Sequence, residues 1–463
     1  MFTDDTITAI STPSGEGGIG IVRLSGKDSI EIVEKIFAPQ KNKSLKDLGS
    51  FKVIYGHIKD PSTGEEIDEV LVTVMRSPHS YTREDVVEIN CHSGMTTLRK
   101  ILELVLKGGT RLAEPGEFTK RAFINGRIDL TQAEAVLDLI KSKTDESRRI
   151  AIEQLQGGLS EKITALRDGL KELCAHLEAY IDFPDDEIEI ATREGLVASM
   201  KEIEIELWKL IKTYDESRFF RDGLSTAIVG RPNVGKSSLL NALIQKDRAI
   251  VTALPGTTRD VIEEYLNIKG LPLRIMDTAG IGDVQNVAEK EGVKRSLQSI
   301  ENADLVIAVF DGSEPLKDED FEVIEKIKVK NAVIVLNKCD LPSAFDKIAL
   351  ASHLTPCDSP VLNISALRGN GLEELKDRIF NSSITDWKEQ REGVLITNLR
   401  HKIAIENAIA SLGRAISGLE ENNPLEIIAF ELRDSLDRLG EIVGAVTTED
   451  ILDSIFKNFC IGK

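Results

Sequence analysis

The chain has 463 residues, 41% of them apolar and 29% charged, with a net charge of −19. At about 100–200 residues per domain this composition suits two to four globular domains. No apolar run reaches the ~18 residues that a membrane span needs, and the acidic balance excludes a protein that holds nucleic acid through its overall field.

The charge is uneven. Residues 1–130 carry 17 Lys and Arg against 19 Asp and Glu, so −17 of the −19 lies in residues 131–463. Any RNA contact is therefore expected from a local patch. The first ten residues hold acids and no basic stretch, unlike a secretory leader. The five cysteines (Cys91, Cys174, Cys339, Cys357, Cys460) show no metal-ligand spacing. That pattern predicts a reducing, cytoplasmic setting and no membrane association.

In chain order, residues 1–124 read as mixed α/β. Strands are expected at 19–24, 70–75 and 86–90, and helices at 29–37 and 96–107, with Pro-Gly punctuation at Pro13 to Gly15 and Glu114 to Gly116. From about residue 130 the pattern becomes long amphipathic helix, with Ala133, Val136, Leu137 and Ile140, then Leu166, Leu170, Leu173 and Leu177, at helical spacing. A break falls at Asp182-Phe183-Pro184. Residues 222–381 alternate apolar strands, including 303–310 and 332–336, with helices, which predicts a parallel, doubly wound sheet. Helix returns after about residue 385. An α/β unit whose termini lie close together can interrupt a host domain. The expected organisation is thus an N-terminal α/β domain (1–124), a discontinuous helical domain (125–221 and 382–463) and an inserted α/β domain (222–381). Two separate helical domains are the alternative.

The apolar strand Ala227-Ile228-Val229 runs into Gly230-Arg231-Pro232-Asn233-Val234-Gly235-Lys236-Ser237 and then into the helical Ser238 to Leu243. This is the P-loop pattern in its strand–loop–helix setting. Its glycines turn backbone N–H groups toward phosphate at a helix N-terminus. Lys236 can bridge the β- and γ-phosphates and Ser237 can ligate Mg²⁺. Four further segments follow in the order a GTPase needs. Gly256-Thr257-Thr258-Arg259-Asp260 supplies Thr258 for Mg²⁺ and the γ-phosphate. Asp277-Thr278-Ala279-Gly280 supplies a carboxylate that holds the metal through water and an N–H for the γ-phosphate. In Asn337-Lys338-Cys339-Asp340, the Asp340 carboxylate can accept from guanine N1–H and the 2-amino group. Adenine offers no such donors, so the buried acceptor would be left unpaired with ATP. Ser365 and Ala366 can bring backbone N–H groups to guanine O6. The set predicts a guanine-nucleotide switch of the Ras-like kind. Ile281 occupies the position where Ras-like proteins carry the water-orienting Gln, so another group must serve, and Asp283, Gln285, Glu289 and Glu291 follow.

The P-loop with Asn233, the loop Thr252 to Asp260 and the terminal Cys460-Ile461-Gly462-Lys463 together resemble the MnmE (TrmE) family of tRNA-modifying GTPases. Asp5 to Pro13 and Gly116 to Phe123 are similar to it as well. The resemblance covers the whole chain and implies the same three-domain plan, with a folate-binding N-terminal domain, a homodimer, and a heterotetramer with the flavin-binding MnmG (GidA). It implies K⁺ held by Asn233, Thr252, Leu254 and Thr257, within a nucleotide-contacting stretch that includes Ala253, Pro255 and Gly256. It places the catalytic carboxylate at Glu289. It implies a 5-formyltetrahydrofolate site at Arg23, Glu88, Arg127 and Lys463, where the family often has Lys at the position of Arg127. The role of Cys460 stays open. The implied function is GTP-driven modification of carbon 5 of the wobble uridine of certain tRNAs, to a carboxymethylaminomethyl-type group. An Era- or Der-type ribosome-assembly GTPase and a non-catalytic GTP-binding scaffold are the alternatives. The first usually carries a basic Gly-x-x-Gly module that the helical region after residue 382 lacks, and the second is at odds with intact Lys236, Ser237, Thr258, Asp277 and Glu289.

Overall fold

A computed structural model describes residues 5–13, 15–41, 44–182, 192–247, 264–276, 300–344, 361–385 and 393–463. These form two compact units, one from residues 5–137 with Gly440–Lys463, the other from the described residues of 138–439.

The first unit is built on a seven-stranded sheet. Its strands are β1 (Ile7–Ile10), β2 (Gly20–Ser25), β3 (Phe37–Pro39), β4 (Lys52–Lys59), β5 (Glu66–Met75), β6 (Val86–Cys91) and β7 (Arg111–Leu112), in the order β3-β4-β5-β6-β2-β1-β7. Neighbours are antiparallel except β1 and β7. One face is covered by α1 (Ser29–Ile36) and α2 (Met95–Lys107). Ile30, Val33, Leu98, Ile101 and Val105 pack there against Val22, Leu24, Val72, Val74, Val87 and Ile89. Strand period 2 then sends Arg23 and Glu88 to the opposite face. On that side Ile7 and Ala9 pack with Phe118 of α3 (Glu117–Ile124).

Strands β2, β5 and β6 lie where the apolar alternation predicts them. Strands β1, β3, β4 and β7 are additional. The reason is plain in β4, whose outward Val53 and Tyr55 are exposed while an inward position is Gly56. A Cβ at Gly56 would stand 2.4 Å from the Ala38 carbonyl oxygen and 2.6 Å from the Phe37 ring. The close approach of β3 removes the side chain that would have marked the buried face. The last residues of the chain belong to this unit too: Leu452, Ile455, Phe456 and Phe459 pack with Leu130, Ala133 and Leu137.

In the second unit, α5 (Asp145–Leu155), α6 (Gly158–Asp182) and α7 (Arg193–Asp222) pack on one another, and α7 packs on α11 (Leu399–Glu420). The contact face of α11 is Ala404, Ile405, Ala408, Leu412, Ala415, Ile416 and Leu419, a stripe at 3–4-residue spacing rich in small side chains. α7 stops at Gly223, whose φ of 81° suits a residue without Cβ, and the chain passes straight into β8 (Leu224–Val229). With β9 (Glu264–Ile268), β10 (Leu271–Ile275), β11 (Leu305–Asp311), β12 (Ala332–Asn337) and β13 (Val361–Asn363), it forms a sheet ordered β13-β12-β11-β8-β10-β9. All neighbours are parallel except β9 and β10. Central strands β8, β11 and β12 are buried along their whole length, as expected of a parallel sheet covered on both faces. From β8 the chain builds toward β10 and β9, then crosses to β11 on the other side. β8 is therefore the topological switch point, and the loop after it is where a doubly wound sheet binds its ligand.

Candidate functional site

The residues after β8 form a tight cradle. Asn233 has φ 65°, and Gly230 and Gly235 have φ 152° and 98°. A Cβ on Gly235 would lie 2.2 Å from Asn337 Nδ2, and one on Gly230 would lie 2.2 Å from the Val309 carbonyl oxygen. Only glycine fits these two positions, which explains the spacing of the motif in steric terms. α8 (Lys236–Asp247) starts directly after the cradle, with Ser237 and Ser238 exposed at its first turn. The N–H groups of a helix's first turn and the helix dipole favour an anion there. The Lys236 ammonium curls back over the loop and donates to the Gly230 and Arg231 carbonyl oxygens at 2.8 and 2.9 Å. Burial holds its pKa below the ordinary lysine value.

The base-reading segments close on this cradle. Asn337, at the end of β12, is 2% exposed. Its Nδ2 donates to the Val234 carbonyl at 2.9 Å and its Oδ1 accepts from the Ala366 N–H at 3.0 Å. One amide thus links the phosphate loop to the loop that can meet guanine O6. Lys338, at φ 66°, donates to Asp311 Oδ2 at 2.6 Å. Burial alone would raise the Asp311 pKa, but hydrogen bonds from Lys338 and Ser313 prevail and hold it below the usual carboxylate range. Asp340 Oδ1 accepts from the Ser365 hydroxyl at 2.6 Å, which keeps that carboxylate ionised to lower pH than usual. The Cys339 N–H donates to the Ile364 carbonyl at 3.0 Å, fixing the turn that presents Asp340.

Asn233, Val234, Gly235, Lys236, Ser237, Ser238, Asn337, Lys338, Asp340, Ser365 and Ala366 therefore sit on neighbouring loops that follow β8, β12 and β13. Thr252 to Asp260, Asp277 to Gly280, Ile281, Asp283, Gln285, Glu289 and Glu291 lie outside the described residues.

A second constellation lies in the first unit. Arg23 and Glu88 are register partners on β2 and β6. Arg23 Nε donates to Glu88 Oε1 at 2.8 Å, and Arg23 Nη1 donates to the Gly462 carbonyl at 3.1 Å. Ile461 bridges to Pro115. The Lys463 ammonium is pushed to a lower pKa by burial and by the Arg23 charge, with Glu88 opposing. Arg23 and Arg127 stand over aromatic rings, Phe118 at 5.6 Å and Tyr81 at 4.8 Å from the ring centroids. The two rings share one apolar cluster, so Arg23, Glu88 and Lys463 converge, with Arg127 anchored on the same cluster. Cys460 is exposed beside them, and its carbonyl accepts from the Gly116 N–H at 3.4 Å.

Among the described residues no group of three or more His, Cys, Asp or Glu is placed to hold a metal ion, and no helix is long and apolar enough to cross a membrane. Sequence reasoning missed Arg231, Asp311, Phe118 and Tyr81. Arg231 lies inside the P-loop and Phe118 inside the Gly116 to Phe123 segment, whereas Asp311 and Tyr81 had no signal near them.

A P-loop at the switch point of a doubly wound sheet, faced by an ionised Asp340 on the base side, defines a guanine-nucleotide-binding P-loop protein. Residues 130–460 match the MnmE helical domain model, and residues 6–127 match the model of the GTP-binding protein TrmE N-terminus. The chain is 48% identical over 463 residues to the tRNA modification GTPase MnmE of Alkaliphilus oremlandii, with both chains covered completely. The same holds at 48% for that of Clostridioides difficile. The match to that of Thermoanaerobacter pseudethanolicus is 49% identical and covers 99% of each chain. Among solved structures, the G domain of the T. maritima FeoB iron transporter matches at 26% identity and a TM-score of 0.26, covering 35% of this chain and 99% of that one. Era in complex with MgGDPNP and 16S ribosomal RNA nucleotides matches at 27% identity and a TM-score of 0.27, covering 40% and 65%. At TM-scores this low neither likeness carries an argument. The chain belongs to the tRNA modification GTPase MnmE family. It is a GTP hydrolase acting in tRNA modification. That membership displaces both the ribosome-assembly and the scaffold alternatives.

Proposed function

We propose that the chain is a K⁺-stimulated GTPase that works in the cytoplasm as a homodimer. Together with a flavin-binding MnmG (GidA) partner in a heterotetramer, it converts carbon 5 of the wobble uridine of certain tRNAs to a carboxymethylaminomethyl-type group. The observation that carries this reading is similarity along the full length to relatives named for tRNA modification. The proposed domains are 1–124 for dimerisation and folate, 125–221 with 382–463 for the helical domain, and 222–381 for the nucleotide.

Asp340, Ser365 and Ala366 would read guanine, and Asn337 and Lys338 would hold the reading loops against the P-loop. Val234, Gly235, Lys236 and Ser238 would bind phosphate, with Thr252 to Thr258 and Asp277 to Gly280 closing over the γ end. Mg²⁺ would be held by Ser237 and Thr258, and it neutralises charge between the β- and γ-phosphates. The exposed hydroxyl of Ser237 at the first turn of α8 fits that use. K⁺ would be held by Asn233, Thr252, Leu254 and Thr257, and a cation there offsets charge that develops on the transferring phosphoryl group. The exposed Asn233, in a left-handed turn at the cradle, supports the assignment. Glu289 would orient the attacking water, since Ile281 cannot.

In the first unit, Arg23, Glu88, Arg127 and Lys463 would bind 5-formyltetrahydrofolate or a related one-carbon folate, which supplies the carbon unit. A carboxylate suits the pterin N–H groups and the cations suit the glutamate tail. The partly buried, mutually paired Arg23 and Glu88 support a built recess and not a solvated charge pair. Cys460, a free and exposed thiol beside these residues, would be available to the modification step.

The test is reconstitution of the chain with its flavoprotein partner, a substrate tRNA, GTP and a one-carbon folate, read by nucleoside mass spectrometry. Modified wobble uridine should form with the wild type and fail with Lys236→Ala. Full modification by that variant, or without GTP, would sink the proposal.

A further inference from the structure

The loop between β11 and α9 (Asp318–Ile327) touches both halves of the nucleotide site. At its start, Asp311 accepts from Lys338 of the base-reading segment, and the Gly312 N–H donates to the Asn337 carbonyl at 2.9 Å. Asp311 also accepts from the Ser313 N–H and hydroxyl, at 3.0 and 2.6 Å, which folds the loop back on itself. At its far end the loop grips the P-loop. Glu314 Oε2 takes Arg231 Nη2 at 2.6 Å, and Asp320 Oδ2 lies 3.3 Å from Arg231 Nε. Glu314 is also paired with Lys317 at 2.7 Å, and Asp320 accepts from the Lys317 N–H at 3.0 Å at the start of α9.

Arg231 stands at the second position of the P-loop. Its side chain is only 9% exposed, although that position needs no charge for phosphate binding. Its guanidinium points away from the cradle toward two carboxylates, while its backbone carbonyl is one of the two oxygens that hold the Lys236 ammonium. A buried Arg held by two acids is a fixed strut, and leaving either side unpaired is costly.

We infer that Arg231 and Glu314 are positioning residues for GTP hydrolysis, bracing the P-loop so that Lys236 is set in place by the same loop that holds the guanine-site Lys338. The brace runs from Lys338 through Asp311, Ser313 and Glu314 to Arg231 and the carbonyl beneath Lys236. It gives recognition of the base a physical route to the groups that hold the phosphates. Both side chains are engaged with each other and not with the cradle. Both act through Lys236, whose contacts to β- and γ-phosphate serve binding and turnover alike.

The test uses the full chain with GTP and a fluorescent GDP analogue. Glu314 is exposed enough for its substitution to leave the fold intact. Arg231→Gln and Glu314→Gln should each raise KM for GTP and Kd for the GDP analogue by about tenfold, the range of a charge-assisted contact. The double variant should be little weaker than Arg231→Gln alone, because both substitutions break the Arg231–Glu314 pair. Arg231→Lys, which keeps a cation against Glu314 and Asp320, should stay closer to the wild type than Arg231→Gln. Unchanged KM and Kd in both single variants would overturn the proposal. So would losses that simply add in the double variant, or an Arg231→Lys variant as weak as Arg231→Gln while both keep a wild-type Tm.

Discussion

Arg23 and Gly462, 439 residues apart in sequence, are joined by a hydrogen bond of 3.1 Å from the guanidinium to the glycine carbonyl. The bond closes the first unit around its own C-terminus. Gly462 has φ 94°, and a Cβ there would stand 2.6 Å from the Ile10 carbonyl oxygen. The tail is thus threaded through a gap that admits only glycine, and it delivers Lys463 to Arg23 and Glu88.

Removing residues 460–463 is expected to weaken binding of 5-formyltetrahydrofolate and to abolish wobble-uridine modification, while GTP hydrolysis stays close to wild type. Gly462→Val should act in the same direction, since both the left-handed φ and the lost space oppose it. Calorimetry with the folate and a GTPase assay on the same preparations decide the point. Full folate affinity after truncation, or GTPase activity lost in step with it, would assign the tail another role.

Asp340→Asn is expected to shift preference from GTP toward xanthosine triphosphate, because an amide mismatches two guanine donors. The loss for GTP should be about 2–4 kcal/mol, the scale of a buried charge-assisted pair left unmatched. Competition binding of the two nucleotides measures it. Unchanged GTP affinity would mean another residue reads the base.

Asn337→Ala removes a side chain that joins the Val234 carbonyl to the Ala366 N–H. Both groups would be left buried without that partner. The expected cost is about 2 kcal/mol or more of stability, together with weaker GDP binding. Denaturant unfolding and nucleotide titration of the variant check both. A variant weakened in neither would show that the loops hold together without the bridge.

Glu289→Ala is expected to keep nucleotide binding and to lower kcat by roughly 10²-fold or more, as removal of a group used only in the transition state should. Single-turnover assays with a matched binding titration measure it. Normal turnover would turn attention to Asp283, Gln285 and Glu291.

Much of the nucleotide fold is legible in the sequence because a parallel sheet buried on both faces writes itself as plain apolar runs. The motifs then sit at its strand ends: β11 and β12 fall within a residue or two of the expected segments. The N-terminal sheet is less legible. Gly56 stands where β4 faces inward, between Ile54 and Ile58, and apolar Val53 and Tyr55 stand where it faces out, so the period-2 signal is blurred in that strand. The spatial roles of Asn337 and Arg231 are also hidden. A motif states that a residue recurs at a spacing, whereas bridging Val234 to Ala366, or pairing with Glu314, depends on contacts set by tertiary packing. The pairing of Arg23 with Gly462 could be reached only through resemblance, because nothing in local pattern connects positions at opposite ends of a chain.

The most direct test of the account is the rate of GTP hydrolysis in KCl against NaCl at equal ionic strength. Asn233 in the P-loop, and Ile281 where a water-orienting Gln would stand, motivate the expectation that K⁺ accelerates turnover well beyond Na⁺. The same comparison with Asn233→Ala should remove the difference. Equal rates of the wild type in the two salts would contradict the account.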